Sequence, residues 1–140
     1  VKCIGFYGTY TYTHTKVNNF NFEGRENEKD LSLPGSPEHT ANASLYFEKK
    51  GFNVRLSYNY ASSFIDEMGE VAALDRYYDA VNYMDLNASY TFGKKIKTTF
   101  YADATNLLNQ PLRYNQGVKD RTMQSEHYGV KINAGVKVNF

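Results

Sequence analysis

Several residue types and sequence features are scarce or missing in this chain of 140 residues. It has no tryptophan and a single cysteine, Cys3, so neither an internal disulfide nor a zinc site built from several cysteines can form. No stretch approaches the roughly 18 consecutive apolar residues that a transmembrane helix needs. With a net charge of +1, the chain lacks the basic character of a protein that binds nucleic acid through bulk electrostatics. These absences exclude helical membrane spans, disulfide scaffolds and nucleic acid as a partner.

Aromatic residues are abundant, with 13 tyrosines and 9 phenylalanines. Such a content favours β-strands, and it is typical of the aromatic girdles that membrane barrels place at the two bilayer interfaces. Only every second residue of a membrane-spanning strand is apolar, so the mean hydropathy of −0.60 is compatible with such strands.

The stretch from Tyr128 to Phe140 alternates strictly between apolar and polar side chains. A period of two predicts a β-strand with one apolar and one polar face. The closing strand of an outer-membrane barrel has this pattern, because its apolar side chains face lipid and its last aromatic residue lies at the interface. The stretch resembles the C-terminal signal that the barrel assembly machinery reads. We assign that signal to Tyr128, Val130, Ile132, Val136, Val138 and Phe140.

The same alternation predicts six strands, most of them with about the 9–11 residues of a tilted transmembrane strand. The fold class predicted is all-β, an antiparallel up-and-down meander. We expect Val54, Leu56, Leu86 and Phe100 to face lipid, and Arg55, Asn87 and Lys97 to face the lumen. The predicted strands cover residues of about 3–14, 40–48, 52–62, 82–92, 96–105 and 128–140.

The connections between these strands alternate in length. Two are tight turns with glycine, at 49–51 and 93–95, and three are long, at about 15–39, 63–81 and 106–127. In bacterial barrels the short turns face the periplasm and the long loops face outside. This parity predicts a periplasmic C-terminus. A soluble β-sandwich or meander also alternates along its strands, but it has no reason to sort its connections by length.

Residues 101–117 (YADATNLLNQPLRYNQG) resemble the penultimate strand and last loop of TonB-dependent outer-membrane receptors. The most specific part is the element from Asn106 to Tyr114. Residues 36–42 (SPEHTAN), followed by Leu45, Tyr46 and Phe47, resemble the place in this family where a long loop enters a strand. Arg121, Gln124, Glu126, Tyr128 and Gly129 also fit the family pattern.

The resemblance implies that the chain supplies the last six strands of a 22-stranded transmembrane β-barrel, the size of plugged outer-membrane transporters. Residues 1–140 are then expected to be a C-terminal fragment of the barrel domain, without the plug and the earlier strands. The resemblance further implies an outer-membrane location, energy coupling through the TonB complex, and a small nutrient ligand such as a siderophore, a cobalamin or an oligosaccharide.

The element from Asn106 to Tyr114 also has a physical interpretation of its own. Asn106 and Asn109 suit turn positions, and Pro111 ends ladder pairing. We therefore expect Asn106, Asn109, Pro111, Arg113 and Tyr114 to form a structural turn at the outer rim of the barrel rather than to contact a ligand directly.

The chain carries few residues with catalytic or ligand-binding character. His14, His39 and His127 are scattered without the spacing of metal ligands, and nucleophile-elbow, zinc-protease and phosphate-loop motifs are absent. Tyr77, Tyr78 and Tyr114 suit packing at the interface or in a loop better than stacking on a sugar. We predict no catalytic, cofactor or metal site and no enzyme activity. The alternatives left open are a passive porin or adhesin-type barrel and a soluble β-rich binding domain.

Overall fold

The computed structural model describes residues 3–17, 23–29, 31–118 and 120–140. These ranges contain ten β-strands and one short 3₁₀ helix, Ala72–Leu74. The six long strands are β1 (Ile4–Tyr12), β2 (His39–Lys49), β3 (Phe52–Ala61), β6 (Val81–Phe92), β7 (Lys97–Thr105) and β10 (Lys131–Asn139). The four short strands are β4 (Phe64–Glu67), β5 (Arg76–Tyr78), β8 (Leu112–Gln116) and β9 (Thr122–Glu126).

The six long strands form one antiparallel sheet, the main sheet, in the order β1-β2-β3-β6-β7-β10. Each long strand pairs with the next long strand along the chain. This topology confirms the predicted all-β, up-and-down meander of six strands.

The register of the main sheet brings the apolar side chains of all six strands onto one face. Leu56 in the middle of β3 lies opposite Leu86 of β6, and the rings of Phe52 and Tyr90 pack with their centroids 4.7 Å apart. The same face carries Ile4, Phe6, Leu45, Phe47, Val54, Phe100, Ile132, Val136 and Val138. Most of these side chains are exposed because the sheet is a single layer.

The opposite face of the main sheet is polar. The side-chain amide of Asn87 donates to the carboxylate of Asp103 over 2.8 Å, and the hydroxyls of Thr91 and Thr99 are 2.8 Å apart. Asn87, Asp103 and Arg55 line a cavity of about 310 Å³ on this face. The predicted separation into an apolar and a polar face therefore holds across the whole sheet.

The two short turns lie at one end of the main sheet and the three long connections at the other. Lys50 and Gly51 take φ angles of 48° and 86° in the first short turn, and Gly93 takes 100° in the second. A side chain on Gly51 would collide with the backbone of Thr91. Glycine is thus required there both by the positive φ angle and by the close approach of a neighbouring strand.

The terminal strand is shorter than predicted. β10 begins at Lys131, so Tyr128 and Val130 lie before the strand. The alternation of their side chains continues the pattern in sequence, but Gly129 has a φ angle of 74° and interrupts the extended backbone. The prediction of a strand that starts at Tyr128 was wrong for this reason.

The second and third long connections were predicted to be loops, but each of them contains two short strands. They contain β4, β5, β8 and β9, which form a second antiparallel sheet, the small sheet, in the order β4-β5-β8-β9. This order matches β3-β6-β7-β10 of the main sheet, because each short strand lies next in sequence to one of these long strands. The small sheet thus extends four strands of the main sheet beyond an interruption.

Buried residues are found in the small sheet and in the long connections. Ile65 of β4 is the only buried apolar side chain among the described residues, and it is accompanied by the buried polar side chains Arg25, Asp75 and Asn115. Within the described ranges, no helix is both long and apolar enough to cross a bilayer.

Candidate functional site

The three long connections meet at one end of the main sheet and form a folded unit, the loop assembly, from the described residues of 13–38, 62–80 and 106–130. Its parts are held together by side chains that are far apart in sequence. Because the loop assembly contains the buried residues and a cavity, it is the candidate functional site.

A buried ion pair between Arg25 and Asp75 links two parts of the loop assembly. The guanidinium group of Arg25 donates two hydrogen bonds to the carboxylate of Asp75, over 2.5 and 2.9 Å, and each side chain is only about 1–2% exposed. Arg25 also donates to Glu28 and to the backbone carbonyl of Gly69. The hydrogen bonds from Arg25 to Asp75 and Glu28 raise the pKa of its guanidinium group. This pair fixes the first long connection against the second.

The third long connection is joined to the second through the backbone. The N–H of Gly117 donates to the carbonyl of Asp75 over 2.8 Å, and Tyr77 of β5 pairs with Asn115 of β8. Asp75 therefore contacts the first connection through its side chain and the third through its backbone. The three connections form one unit rather than three independent loops.

One face of the small sheet is aromatic. The ring of Tyr78 lies 5.3 Å from Phe64 and 5.2 Å from Tyr114, centroid to centroid. The guanidinium group of Arg76 lies 5.3 Å from the centre of the Tyr114 ring, and it donates to Asp66 over 2.7 Å. Burial, together with neighbouring tyrosines, raises the pKa of Tyr78 to about 12. Tyr114, one of the predicted rim residues, thus belongs to an aromatic cluster.

The opposite face of the small sheet is the floor of a cavity of about 500 Å³, the loop cavity. Ile65, Tyr77 and Asn115 are neighbours across three strands and form this floor. The first long connection provides Leu31 and Ser36 on another side of the cavity. Tyr77 and Tyr78 are adjacent in the strand and therefore lie on opposite faces of the small sheet. Tyr77 lines the loop cavity, and Tyr78 packs in the aromatic cluster.

The element that begins at Asn106 forms a compact turn at the end of β7. Asn106 and Asn109 have φ angles of 58° and 52°, a conformation that asparagine adopts more readily than most residues. The side chain of Asn106 accepts a hydrogen bond from the N–H of Gln110 over 2.8 Å, and it donates to the carbonyls of Gln110 and Gly129. Asn106 therefore joins this turn to the segment that precedes β10.

Pro111 and Arg113 follow this turn. Pro111 directly precedes β8, and proline has no N–H for ladder pairing. Arg113 forms an ion pair with Asp79, in which its Nε donates over 2.6 Å. This pair connects the third long connection to the second at a more exposed place than the pair of Arg25 and Asp75.

The predicted assembly-signal residues run along the whole of β10, from Tyr128 and Val130 at the loop end of the main sheet to Phe140 at the other end, whereas the rim element lies at the loop end only. Phe140 is 99% exposed and directly follows β10, at the end of the main sheet where the two short turns lie. Ile132, Val136 and Val138 lie on the apolar face of β10. Tyr128, outside the strand, donates its hydroxyl hydrogen to Glu126. At the loop end, the side-chain amide of Asn106 donates to the backbone carbonyl of Gly129, which lies between Tyr128 and Val130.

Sequence reasoning missed the residues that build the interior of the loop assembly, namely Arg25, Asp75 and Asn115. Arg25 lies in a stretch rich in charged residues, and no local pattern connects it with a partner 50 positions away. Within the described residues, no group of three or more His, Cys, Asp or Glu side chains is placed to hold a metal ion.

Comparison with known families identifies the chain. The model of the family described as "TonB dependent receptor-like, beta-barrel" matches residues 4–107. This match covers well over half of the chain. The chain belongs to the TonB-dependent receptor-like β-barrel family. No curated protein and no solved structure matches it.

Membership of this family makes the chain part of an outer-membrane receptor with a role in transport. The matched region covers β1 to β7 and ends just after Asn106. Most of the predicted rim element and all of β8 to β10 lie beyond it, so the assignment does not depend on the terminal strand.

Proposed function

We propose that this chain forms part of the barrel wall of a transporter that takes up a scarce nutrient across the outer membrane with energy supplied through TonB. The observation that carries the proposal is the unbroken apolar face of the main sheet, which extends across all six long strands. Covering a single-layer sheet of this kind by lipid would remove its apolar side chains from water. Its polar face would then line the lumen of the barrel.

In this proposal the loop assembly faces the outside of the cell, and the two short turns and the C-terminus face the periplasm. Bacterial barrels have long extracellular loops and short periplasmic turns. The apolar side chains of β10 and the terminal Phe140 would form the signal for the barrel assembly machinery.

Energy coupling would come from parts of the receptor that the family resemblance places before this chain, namely the plug and the segment that contacts TonB. The loop assembly would help to capture the ligand outside the cell. Movement of the plug, driven by TonB, would then open a path through the lumen.

Labelling of single cysteines in intact cells tests the orientation. In a receptor in which Cys3 is replaced by serine, we expect a membrane-impermeant maleimide to label Glu70→Cys in the second long connection. The matched variant Lys94→Cys, in a short turn, should be labelled only after the outer membrane is permeabilised. Both positions are exposed, so the difference measures sidedness. Labelling of Lys94→Cys in intact cells would contradict the orientation.

Uptake measurements test the energy coupling. Cells that depend on this receptor for a limiting nutrient should lose uptake when TonB is removed or the proton gradient is collapsed. Receptor abundance in the outer membrane should not change. A passive barrel would continue to conduct its substrate under both conditions, so uptake that persists would favour a porin-type function instead.

A further inference from the structure

The main sheet and the small sheet are separated by a gap in strand pairing, which we call the crease. It consists of the residues between the long and the short strands, namely 62–63, 79–80, 106–111 and 127–130. Because the two sheets have the same strand order, these four gaps lie side by side. Hinges in proteins are formed by a few residues at the ends of structural elements, and the crease places such residues in one line across four strands.

The side-chain amide of Gln110 replaces part of the missing pairing on β6. β6 extends beyond its last pair with β7, so its residues 81–85 have no partner strand on that side among the described residues. The amide of Gln110 accepts a hydrogen bond from the N–H of Asn82 over 3.2 Å and donates to the carbonyl of Ala80 over 3.4 Å. A side-chain amide offers the donor and the acceptor of a peptide group, so Gln110 holds β6 as a neighbouring strand would.

Asn106 makes further links across the crease, at the end of β7. Its backbone N–H donates to the carboxylate of Asp85 over 2.9 Å, and its side-chain amide donates to the carbonyl of Gly129 over 3.1 Å. Its side-chain oxygen accepts a hydrogen bond from the N–H of Gln110 over 2.8 Å, so the two amides are coupled. In the widest part of the crease, side chains therefore supply hydrogen bonds that the ladder supplies elsewhere.

The loop assembly has internal links that do not cross the crease. Arg25 joins the first long connection to Asp75 in the second, and the N–H of Gly117 in the third donates to the carbonyl of Asp75. The small sheet adds the backbone pairs of β4 with β5 and of β5 with β8. A bend along the crease leaves all these contacts intact, so the loop assembly can move as one body.

We infer that the crease is a hinge on which the loop assembly tilts as one body relative to the main sheet, and that Asn106 and Gln110 are the positioning residues that hold it in the observed orientation. In the proposed function the hinge lies at the outer rim of the barrel, where a tilt changes the width of the mouth of the lumen. This consequence rests on the proposed function, whereas the hinge itself does not require transport.

Distances between pairs of spin labels, measured by pulsed electron paramagnetic resonance, test the inference in the purified full-length receptor in lipid nanodiscs. The labels are attached to introduced cysteines after Cys3 and any other native cysteine have been replaced by serine. Labels at Lys49 and Ser125 report the position of the loop assembly relative to the main sheet, and labels at Glu70 and Ser125 report a distance inside the loop assembly. All three labelled positions are exposed.

Two variants each remove one of the amides. Gln110→Met keeps the length of the side chain, and Asn106→Gly is made at a position whose φ angle of 58° suits glycine. In either variant we expect the distribution of distances between Lys49 and Ser125 to become at least twofold broader. The distribution between Glu70 and Ser125 should stay unchanged, because the loop assembly moves without unfolding.

Two matched variants are the controls, and both should leave the two distances as in the native receptor. Asn109→Gly introduces glycine at the other asparagine of the turn with a positive φ angle, whose N–H bonds within the turn to the carbonyl of Asn106. Gln124→Met removes an amide inside the small sheet, where it donates to Glu126 of the same strand.

An unchanged distance between Lys49 and Ser125 in both amide variants would overturn the inference. Broadening inside the loop assembly would also overturn it, since that indicates local unfolding, and so would equal broadening in the controls. Altered mobility on unheated gels shows which variants form an intact barrel, and one folded amide variant is sufficient. Failure of both to form a barrel would show that the main sheet itself needs the amides, which contradicts a hinge. Uptake that is independent of TonB would reject the energy coupling and leave the hinge intact.

Discussion

The side chain of Tyr101 in β7 occupies the space above Gly135 of β10 that a side chain at that position would need. The two residues are direct partners in the register of the main sheet and lie on its polar face. At the opposite edge of the main sheet, Tyr46 of β2 covers Gly5 of β1 in the same way. Glycine weakens a strand interior, and an aromatic ring packed over it compensates for the missing side chain.

Because the ring of Tyr101 covers Gly135, we expect the effect of Gly135→Ala on the stability of the receptor to change sign when Tyr101 is replaced by alanine. Gly135→Ala should destabilise the full-length receptor by about 0.2–1 kcal/mol, because the added methyl group displaces the ring. In a Tyr101→Ala background the same change should stabilise by about 0.5–1 kcal/mol, since alanine is then the better strand residue. Urea unfolding in detergent measures both effects. The same sign in both backgrounds would show that the ring does not compensate for the glycine.

Because one face of the main sheet is apolar and the other polar, we expect a charged side chain to destabilise the receptor at one position of a strand and not at the next. Leu56 lies in the middle of β3 on the apolar face, and Ser57 lies next to it on the polar face. Leu56→Arg should destabilise the receptor by about 2–4 kcal/mol if the apolar face meets the middle of a bilayer, whereas Ser57→Arg should change stability far less. Unfolding in lipid vesicles gives both values, and equal losses would contradict the assignment of the faces.

The main sheet was predictable because the sequence signals that define its strands and turns are local. Alternation of apolar and polar residues fixes which side chains share a face, and glycine in a short turn such as Gly51 fixes where the chain reverses. Both signals lie within a few positions of the residues they organise. The start of β10 was misplaced because a single positive φ angle at Gly129 leaves the alternation of residue types unchanged.

The loop assembly was not predictable in the same way, because its contacts are distant in sequence. The strands β4 and β5 are only four and three residues long, too short for a clear period of two. Arg25 and Asp75 each look like ordinary surface residues until the fold brings them together. The unsatisfied oxygen of Asn115 is a property of the packed structure and has no sequence signal at all.

The buried pair of Arg25 and Asp75 predicts that the loop assembly loosens when the pair is broken. Removal of one partner from a buried ion pair typically costs about 3–5 kcal/mol, because it leaves an uncompensated charge. Arg25→Met should therefore increase hydrogen exchange in residues 62–80, as measured by mass spectrometry, while the main sheet remains protected. The control Lys29→Met removes an exposed cation of the same connection and should leave exchange unchanged. Equal exchange in both variants would show that the pair does not hold the connections together.

The end of β10 predicts an effect on assembly rather than on binding. Phe140 is exposed beyond the last strand, where an aromatic side chain would anchor the closing strand at the periplasmic interface. Phe140→Ser should reduce the amount of full-length receptor in the outer membrane, and Asn139→Ser should not. Quantitative blots of outer-membrane fractions measure this, and normal levels of the Phe140→Ser receptor would argue against an assembly signal.

The open sheet also predicts the behaviour of the 140-residue chain when it is produced alone. β1 and β10 are the edges of the main sheet, and unpaired edges recruit other strands. Its apolar face exposes Phe6, Leu45, Phe100 and Ile132, and an apolar patch of this kind drives association in water. We expect the isolated chain to associate without detergent and to become dispersed when detergent covers the apolar face. Sedimentation velocity under both conditions measures the oligomeric state. A monodisperse monomer in plain buffer with a cooperative thermal transition would indicate a self-contained soluble β domain, and it would contradict the assignment of the apolar face to lipid.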